Sequence, residues 1–93
     1  MGAQPETFII QVSSNYSNDS LMLDYKIVEK VSMVNINGKL DEDGRASVTL
    51  PVGVKVSTCS INFQGSNTGG TGIKPGVNYM LPGGRYMFCI KLV

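Results

Sequence analysis

Apolar and polar residues alternate along most of this chain, in short runs separated by clusters of glycine, proline, asparagine and aspartate. A period of two is typical of β-strands with one buried face. The alternating runs cover residues 7–13, 20–29, 31–37, 45–50, 54–63, 77–81 and 85–93. A helix over 21–34 is the competing interpretation, but the frequent β-branched residues of that segment favour strands.

Six to eight short strands at regular spacing predict an all-β protein. We expect a single antiparallel β-sandwich, jelly-roll-like or transthyretin-like, that forms one domain over residues 1–93. Residues 1–6 precede the first run and are expected to form a flexible N-terminal tail. In the first strand Phe8, Ile10 and Val12 share the inward face, and in the last strand Tyr86, Phe88, Ile90 and Leu92 do so.

Two local patterns predict how neighbouring strands connect. The third run ends at Asn37-Gly38, and Asn-Gly between apolar runs is a strong signal of a tight hairpin turn. In the run 54–63 the apolar residues change parity between Val56 and Cys59. A β-bulge near Ser57-Thr58 is expected to reconcile the two halves of that strand.

Residues 38–56, GKLDEDGRASVTLPVGVKV, combine an acidic Asp-Gly turn, an alternating strand and a Leu-Pro-x-Gly turn. This segment, about a fifth of the chain, resembles the hairpin of transthyretin-like and carboxypeptidase-regulatory-like β-sandwich domains. Lys55 stands where that family usually has a tyrosine. The resemblance implies a non-enzymatic module with a structural or adhesive role.

The amino-acid composition excludes most kinds of catalytic site. The chain has no histidine, so Ser-His-Asp and Cys-His catalysis are impossible within it, and two cysteines alone cannot close a zinc site. We therefore expect no enzyme, no cofactor and no metal. The net charge is +1 with eight scattered Lys and Arg residues, which excludes a basic nucleic-acid footprint or membrane anchor.

Two polar segments are candidate ligand sites. The acidic turn Asp41-Glu42-Asp43 lacks the further acidic ligand of a calcium loop and is expected to be a solvated turn. The glycine-rich loop 65–76 lacks the lysine-serine pair and helix of a phosphate loop, but its short polar groups suit sugar hydroxyls. The candidate binding residues are Ser66, Asn67, Thr68, Gly69, Gly70, Thr71 and, as the nearest aromatic platform, Tyr79.

A second set of residues predicts a contact surface. Cys59 and Cys89 have opposite parities in their strands, so we expect free thiols. Methionine and lysine stems on the outward parity suggest a face covered by another chain. The candidate interface residues are Met22, Met87, Cys89, Lys91 and Val93.

These observations favour a structural or interaction module, a small self-assembling subunit such as a phage or virion decoration, tail or fibre component. A bare edge strand at the C-terminus would be a natural site for pairing with other copies or other protein subunits. The alternative is a carbohydrate-binding β-sandwich module that uses the 65–76 loop. The N-terminus has no signal-peptide pattern, so a cytoplasmic or virion location is expected, or secretion if a leader was removed.

Overall fold

Two four-stranded antiparallel sheets pack face to face in the structure, a computed structural model that describes residues 4–64, 66–67 and 73–93. The strands are β1 (Thr7–Ser14), β2 (Asp24–Glu29), β3 (Asn35–Lys39), β4 (Arg45–Thr49), β5 (Cys59–Phe63), β6 (Ser66–Asn67), β7 (Tyr79–Met80) and β8 (Tyr86–Leu92). One turn of 3-10 helix, Val56–Thr58, precedes β5. The first sheet has the order β4-β1-β8-β7 and the second has the order β3-β2-β5-β6. The predicted small antiparallel β-sandwich is therefore confirmed.

The core lies between the two sheets and is built from alternate residues of their strands. β1 contributes Phe8, Ile10 and Val12, each without exposed surface, as its alternation predicts. The sheets meet at Phe63 and Phe88, whose ring centroids lie 5.1 Å apart. The other buried apolar strand residues are Ile27, Val48, Cys59, Ile61 and Ile90. Loop residues complete the core: Leu23, Leu40, Leu50, Val54, Val56, Ile73 and Leu81.

The predicted turn at Asn37-Gly38 is wrong. Both residues lie inside β3, where Asn37 pairs with Lys26 and Gly38 pairs with Tyr25. The chain instead reverses at residues 30–34, between β2 and β3. Glycine is required at position 38 for space, because a Cβ there would overlap the ring of Tyr25.

Residues 38–56 do not form the expected hairpin. Gly38 and Lys39 belong to β3 in the second sheet, whereas β4 lies in the first sheet, so the acidic turn is a crossover between sheets. Asp41 organises this crossover, because its Oδ1 accepts the backbone N–H groups of Asp43 and Arg45 at 2.9 Å. Gly44 has a φ of +78° and its carbonyl accepts the N–H of Val12 at 2.8 Å, which ties the turn to β1.

The parity change before Cys59 has a different cause from the predicted bulge. The 3-10 turn Val56–Thr58 rotates the chain between Val54 and β5. Consequently Val54, Val56 and Cys59 are all buried, although their sequence spacing does not fit one strand. A 3-10 helix has three residues per turn, which is an odd number, so it changes which side chains of the following strand point inward. Unlike a β-bulge, it does this without a paired neighbouring strand.

The two ends of the sandwich carry different groups. At one end, which we call the Glu29 end, β2 finishes at Glu29, and the N–H of Val93 bonds the carbonyl of Thr7 at 3.1 Å. Glu6 also lies there and is not part of a free tail, because its Oε1 accepts the N–H of Val56 at 2.8 Å. At the other end, the Arg85 end, β2 begins and β8 follows Arg85.

The C-terminal strand is not a bare edge. β8 lies between β1 and β7, and β7 pairs Tyr79 with Phe88 and Met80 with Met87. The N–H of Gly76 bonds the carbonyl of Ile90 at 3.0 Å, which covers more of that side of β8. Leu92, expected to face inward, is 51% exposed because it lies beyond the end of the core.

Replacing Gly38 by alanine tests the close approach of β3 and the Tyr25 ring. Overpacking of this kind is expected to lower the free energy of unfolding by about 1–3 kcal/mol, measured by urea denaturation. In a Tyr25→Leu background the obstructing ring is gone, so the same substitution should have a much smaller effect. An equal loss of stability in both backgrounds would show that the ring is not the obstacle.

Candidate functional site

A buried carboxylate fixes the turn between β2 and β3. Glu29 is 2% exposed. Its two carboxylate oxygens accept hydrogen bonds from the residues that follow β2 and from the 3-10 turn before β5. Oε1 accepts the N–H of Ser32 at 2.6 Å and its Oγ–H at 2.5 Å. Oε2 accepts the N–H of Val31 at 3.2 Å and the hydroxyl of Thr58 from the 3-10 turn. Four donors thus offset the unfavourable burial of one negative charge.

These donors change the acidity of the group. The Ser32 hydroxyl, the Thr58 hydroxyl and the Ser32 backbone N–H together lower the pKa of Glu29 to about 2. Glu29 is therefore charged at all physiological pH values, and each of its hydrogen bonds is assisted by that charge. These bonds tie the backbone of the turn between β2 and β3 to the buried carboxylate.

The turn presents two apolar side chains to solvent. Val31 is 76% exposed and Met33 is 71% exposed. Met33 has a φ of +62°, the left-handed region, which is unfavourable for a residue with a Cβ. Backbone strain that persists in an ordered turn must be held by the surrounding structure, here by Glu29 and by the bond from the Met33 N–H to the Glu29 carbonyl at 2.8 Å.

Two further apolar residues lie at the same end. Val52 follows β4 and is 60% exposed, and Val93 follows β8 and is 81% exposed. Thr7, at the start of β1, pairs with Thr49 and accepts the N–H of Val93, so the ends of these strands are neighbours. We call Val31, Met33, Val52 and Val93 the apolar end.

The predicted interface residues are only partly brought together. Met87, Cys89 and Lys91 share the outward face of β8, next to Ser13, Gln11 and Ile9 of β1. Met87 and Cys89 are half-buried there, and Lys91 is exposed. Met22 lies apart, 45% exposed in the loop before β2, and Val93 lies at the Glu29 end. Of the five predicted interface residues, one, Val93, belongs to the apolar end.

The predicted ligand loop is described only in part. Thr68, Gly69, Gly70 and Thr71 lie outside the described residues, whereas Ser66 and Asn67 form β6 and pair with Phe63 and Asn62. Tyr79 is half-buried, with its ring stacked on Phe88 at a centroid distance of 5.1 Å. Its hydroxyl accepts the N–H of Lys74 at 2.7 Å. The ring of Tyr79 is thus engaged with the core through its contact with Phe88.

The outward face of the second sheet carries a concavity that the sequence did not predict. Its volume is about 660 Å³, and the residues that line it include Asp24, Tyr25, Lys26, Asn37, Asn62 and Gln64. β2 and β3 are consecutive, but Asn62 and Gln64 come from β5 and the residue after it, so the sheet register assembles the set. The one sequence signal was the alternation of polar residues on the outward parity of β2, β3 and β5.

Arg85 makes charged contacts at the Arg85 end of the sandwich. The guanidinium of Arg85 donates to both carboxylate oxygens of Asp19, at 2.7 and 2.5 Å, and lies 4.7 Å from the ring centroid of Tyr16. The hydrogen bond from Arg85 lowers the pKa of Asp19, and the same contact raises the pKa of Arg85. An apolar cavity of about 300 Å³, lined by Leu23, Phe63 and Leu81 among others, lies beside this contact.

The described residues offer little reactive chemistry. Burial, with the nearby Glu29 and Glu6 charges, raises the pKa of the Cys59 thiol to about 11, so Cys59 is protonated and unreactive at neutral pH. Cys59 and Cys89 are both free thiols, as their parities predicted. In the part of the chain that the structure describes, no three acidic, Cys or His residues are grouped as metal ligands. No helix over the same residues is long and apolar enough to span a bilayer.

Comparison with known proteins gives this chain no relatives: no family model, no curated protein and no solved structure matches it. The resemblance of residues 38–56 to transthyretin-like domains therefore stays a prediction. Function must be inferred from the groups that the fold places at its surface.

The depressed pKa of Glu29 predicts acid sensitivity. The folded protein holds the charged form more strongly than the unfolded chain, whose glutamate titrates near the ordinary pKa of 4.5. The stabilisation is therefore complete above pH 4.5 and is lost as the pH falls through about 2. The thermal midpoint, followed by circular dichroism, should decrease across this interval.

Two variants identify the group responsible. Glu29→Gln removes the titrating group and should give a lower thermal midpoint at neutral pH and a flatter decrease below pH 4.5. Asp24→Asn changes an exposed carboxylate, 66% exposed, and should retain the wild-type profile. An unchanged acid profile in Glu29→Gln would contradict the assignment.

Proposed function

We propose that this protein is a non-enzymatic interaction module that self-assembles through its apolar end. The observation that carries the proposal is the turn at residues 30–34, where a buried, hydrogen-bonded carboxylate holds two exposed apolar side chains in a strained backbone conformation. Burying Val31 and Met33 against another surface would offset that strain. Preorganisation of this kind reduces the entropy lost on association.

A second copy of the chain fits this end better than a strongly charged partner. A symmetric contact requires a surface that is complementary to itself, and aliphatic side chains meet their own kind favourably. The nearby charges have both signs, since Lys55 lies 3.8 Å from Glu6. With a net charge of +1, long-range repulsion between copies is also small.

Light scattering after size exclusion, over a wide concentration series, tests the proposal. The wild-type protein should have a mass of at least a dimer at high concentration. Met33→Asn should remain folded, because asparagine tolerates the left-handed region, but it removes the apolar anchor. Burial of a methionine contributes about 1.5–3 kcal/mol, so losing one from each copy should weaken a dimer by at least roughly 100-fold.

Met80→Asn is the matched control. Met80 is 56% exposed on β7 and pairs with Met87, on the face that the sequence predicted as an interface. This variant should assemble like the wild type. A wild-type monomer at every concentration would overturn self-assembly. Loss of assembly in Met80→Asn but not in Met33→Asn would move the contact to the first sheet.

A further inference from the structure

Polar side chains form rows across the outward face of the second sheet at the beginning of β2. Lys26 on β2 pairs with Asn37 of β3 on one side and with Asn62 of β5 on the other, so these three residues form a row across the sheet. Asp24 lies in the next row beside Lys39, with a nitrogen–oxygen distance of 3.9 Å. Neighbouring strands lie about 4.8 Å apart. One small ring compound can therefore contact side chains on two adjacent strands at once.

One atom of this array lacks a partner. Asn62 Oδ1 is buried, and among the described residues it has no hydrogen bond. An unpaired buried acceptor is unfavourable and rare, and it calls for an explanation such as an unbound ligand group. Asn62 lines the concavity together with Lys26, its partner on β2, and Gln64.

The chain direction changes sharply at the same place. Gln64, the residue after β5, has a φ of +49° and donates its N–H to the carbonyl of Asp24 at 3.0 Å. This bond keeps Gln64 on the rim of the concavity, which it helps to line. Strained backbone and an unpaired acceptor, two independent signs of a binding surface, therefore coincide in one groove.

The groups in the groove select the class of ligand. A metal ion needs several oxygen anions, but among the described residues that line the groove Asp24 is the one carboxylate, and Lys26 is its neighbour. A phosphate needs several cations or N–H donors, and in the same part of the chain Lys26 is the one cation of the lining. An extended peptide that adds a strand would pair with the backbone of β3, the outer strand of this sheet, and not with the carboxamide side chains of the groove. Carboxamides both donate and accept, which is what vicinal hydroxyls require.

We propose that this groove binds a saccharide, with Asn37, Asn62 and Lys26 hydrogen-bonding its hydroxyls. The hydroxyl of a bound sugar would satisfy Asn62 Oδ1. β6 borders the groove because Asn67 pairs with Asn62, so residues 66–67 of the glycine-rich segment adjoin the same site. The groove lies toward the Arg85 end of β2, and its occupation is independent of the apolar end.

Nuclear magnetic resonance of the full chain tests the site. The probes are oligosaccharides of glucose, galactose, mannose and xylose, and an oligogalacturonate, each titrated into ¹⁵N-labelled protein. We expect at least one probe to shift the side-chain amide signals of Asn37 and Asn62 in a saturable way. Asn62→Ala should weaken that binding by roughly tenfold, because it removes one hydrogen-bonding side chain from the site.

Asn35→Ala is the matched control, since Asn35 lies on the same face of β3 but pairs with Val28, one row from the groove. It should bind like the wild type, and both variants should keep the wild-type spectrum elsewhere. Neither variant should have a lower thermal midpoint than the wild type, since Asn62→Ala also removes the unpaired buried oxygen. The proposal is overturned if no probe shifts the groove signals. It is equally overturned if Asn62→Ala binds as tightly as the wild type.

Repeating the titration in Met33→Asn separates this inference from self-assembly. Binding that persists in that variant supports the groove whether or not the wild type oligomerises. Groove signals that shift with protein concentration, and not with any saccharide, would show that the face is a contact between copies and would exclude the saccharide.

Discussion

The burial of the Glu29 carboxylate is the constraint on which one end of this molecule depends. A charge with 2% exposure requires several donors, and the chain supplies them from the residues just after β2 and from the 3-10 turn before β5. Those donors determine where the chain reverses between β2 and β3. The Glu29 carboxylate in turn holds the Thr58 hydroxyl beside β2, in the 3-10 turn where the parity changes ahead of Cys59. A single buried group thus links the turn that carries Val31 and Met33 to the short helix before β5.

The two outward faces follow from the same antiparallel architecture but have different chemistry. On the first sheet Ile9, Met87 and Cys89 are outward and half-buried. On the second sheet the outward positions nearest the Arg85 end hold carboxamides and charges, with Lys26 between Asn37 and Asn62. Alternation of period two requires only that one face of each strand be apolar. The composition of the other face is therefore free to serve recognition, and here the two faces differ.

Alternation allowed the strands and much of the core to be predicted, because residues such as Phe8 and Phe88 must point inward once their strands form. Position 37–38 was misread, because the Asn-Gly signal is local whereas the space beside Gly38 is needed for Tyr25, which is distant in sequence. The groove was beyond prediction for a similar reason. Its row is created by the pairing of β3, β2 and β5, and no sequence pattern gives that register.

The surface features from which function is inferred share an energetic property: each is unfavourable in the isolated chain. Met33 has strained backbone and exposed apolar surface, and Asn62 has a buried oxygen without a partner in the described residues. Small domains have little stability in reserve, so such features are ordinarily replaced unless something offsets them. Asparagine at position 33 would reduce the backbone strain there, and an aliphatic residue at position 62 would remove the unpaired oxygen. The presence of methionine and asparagine instead is best explained by partners that bury the first and hydrogen-bond the second.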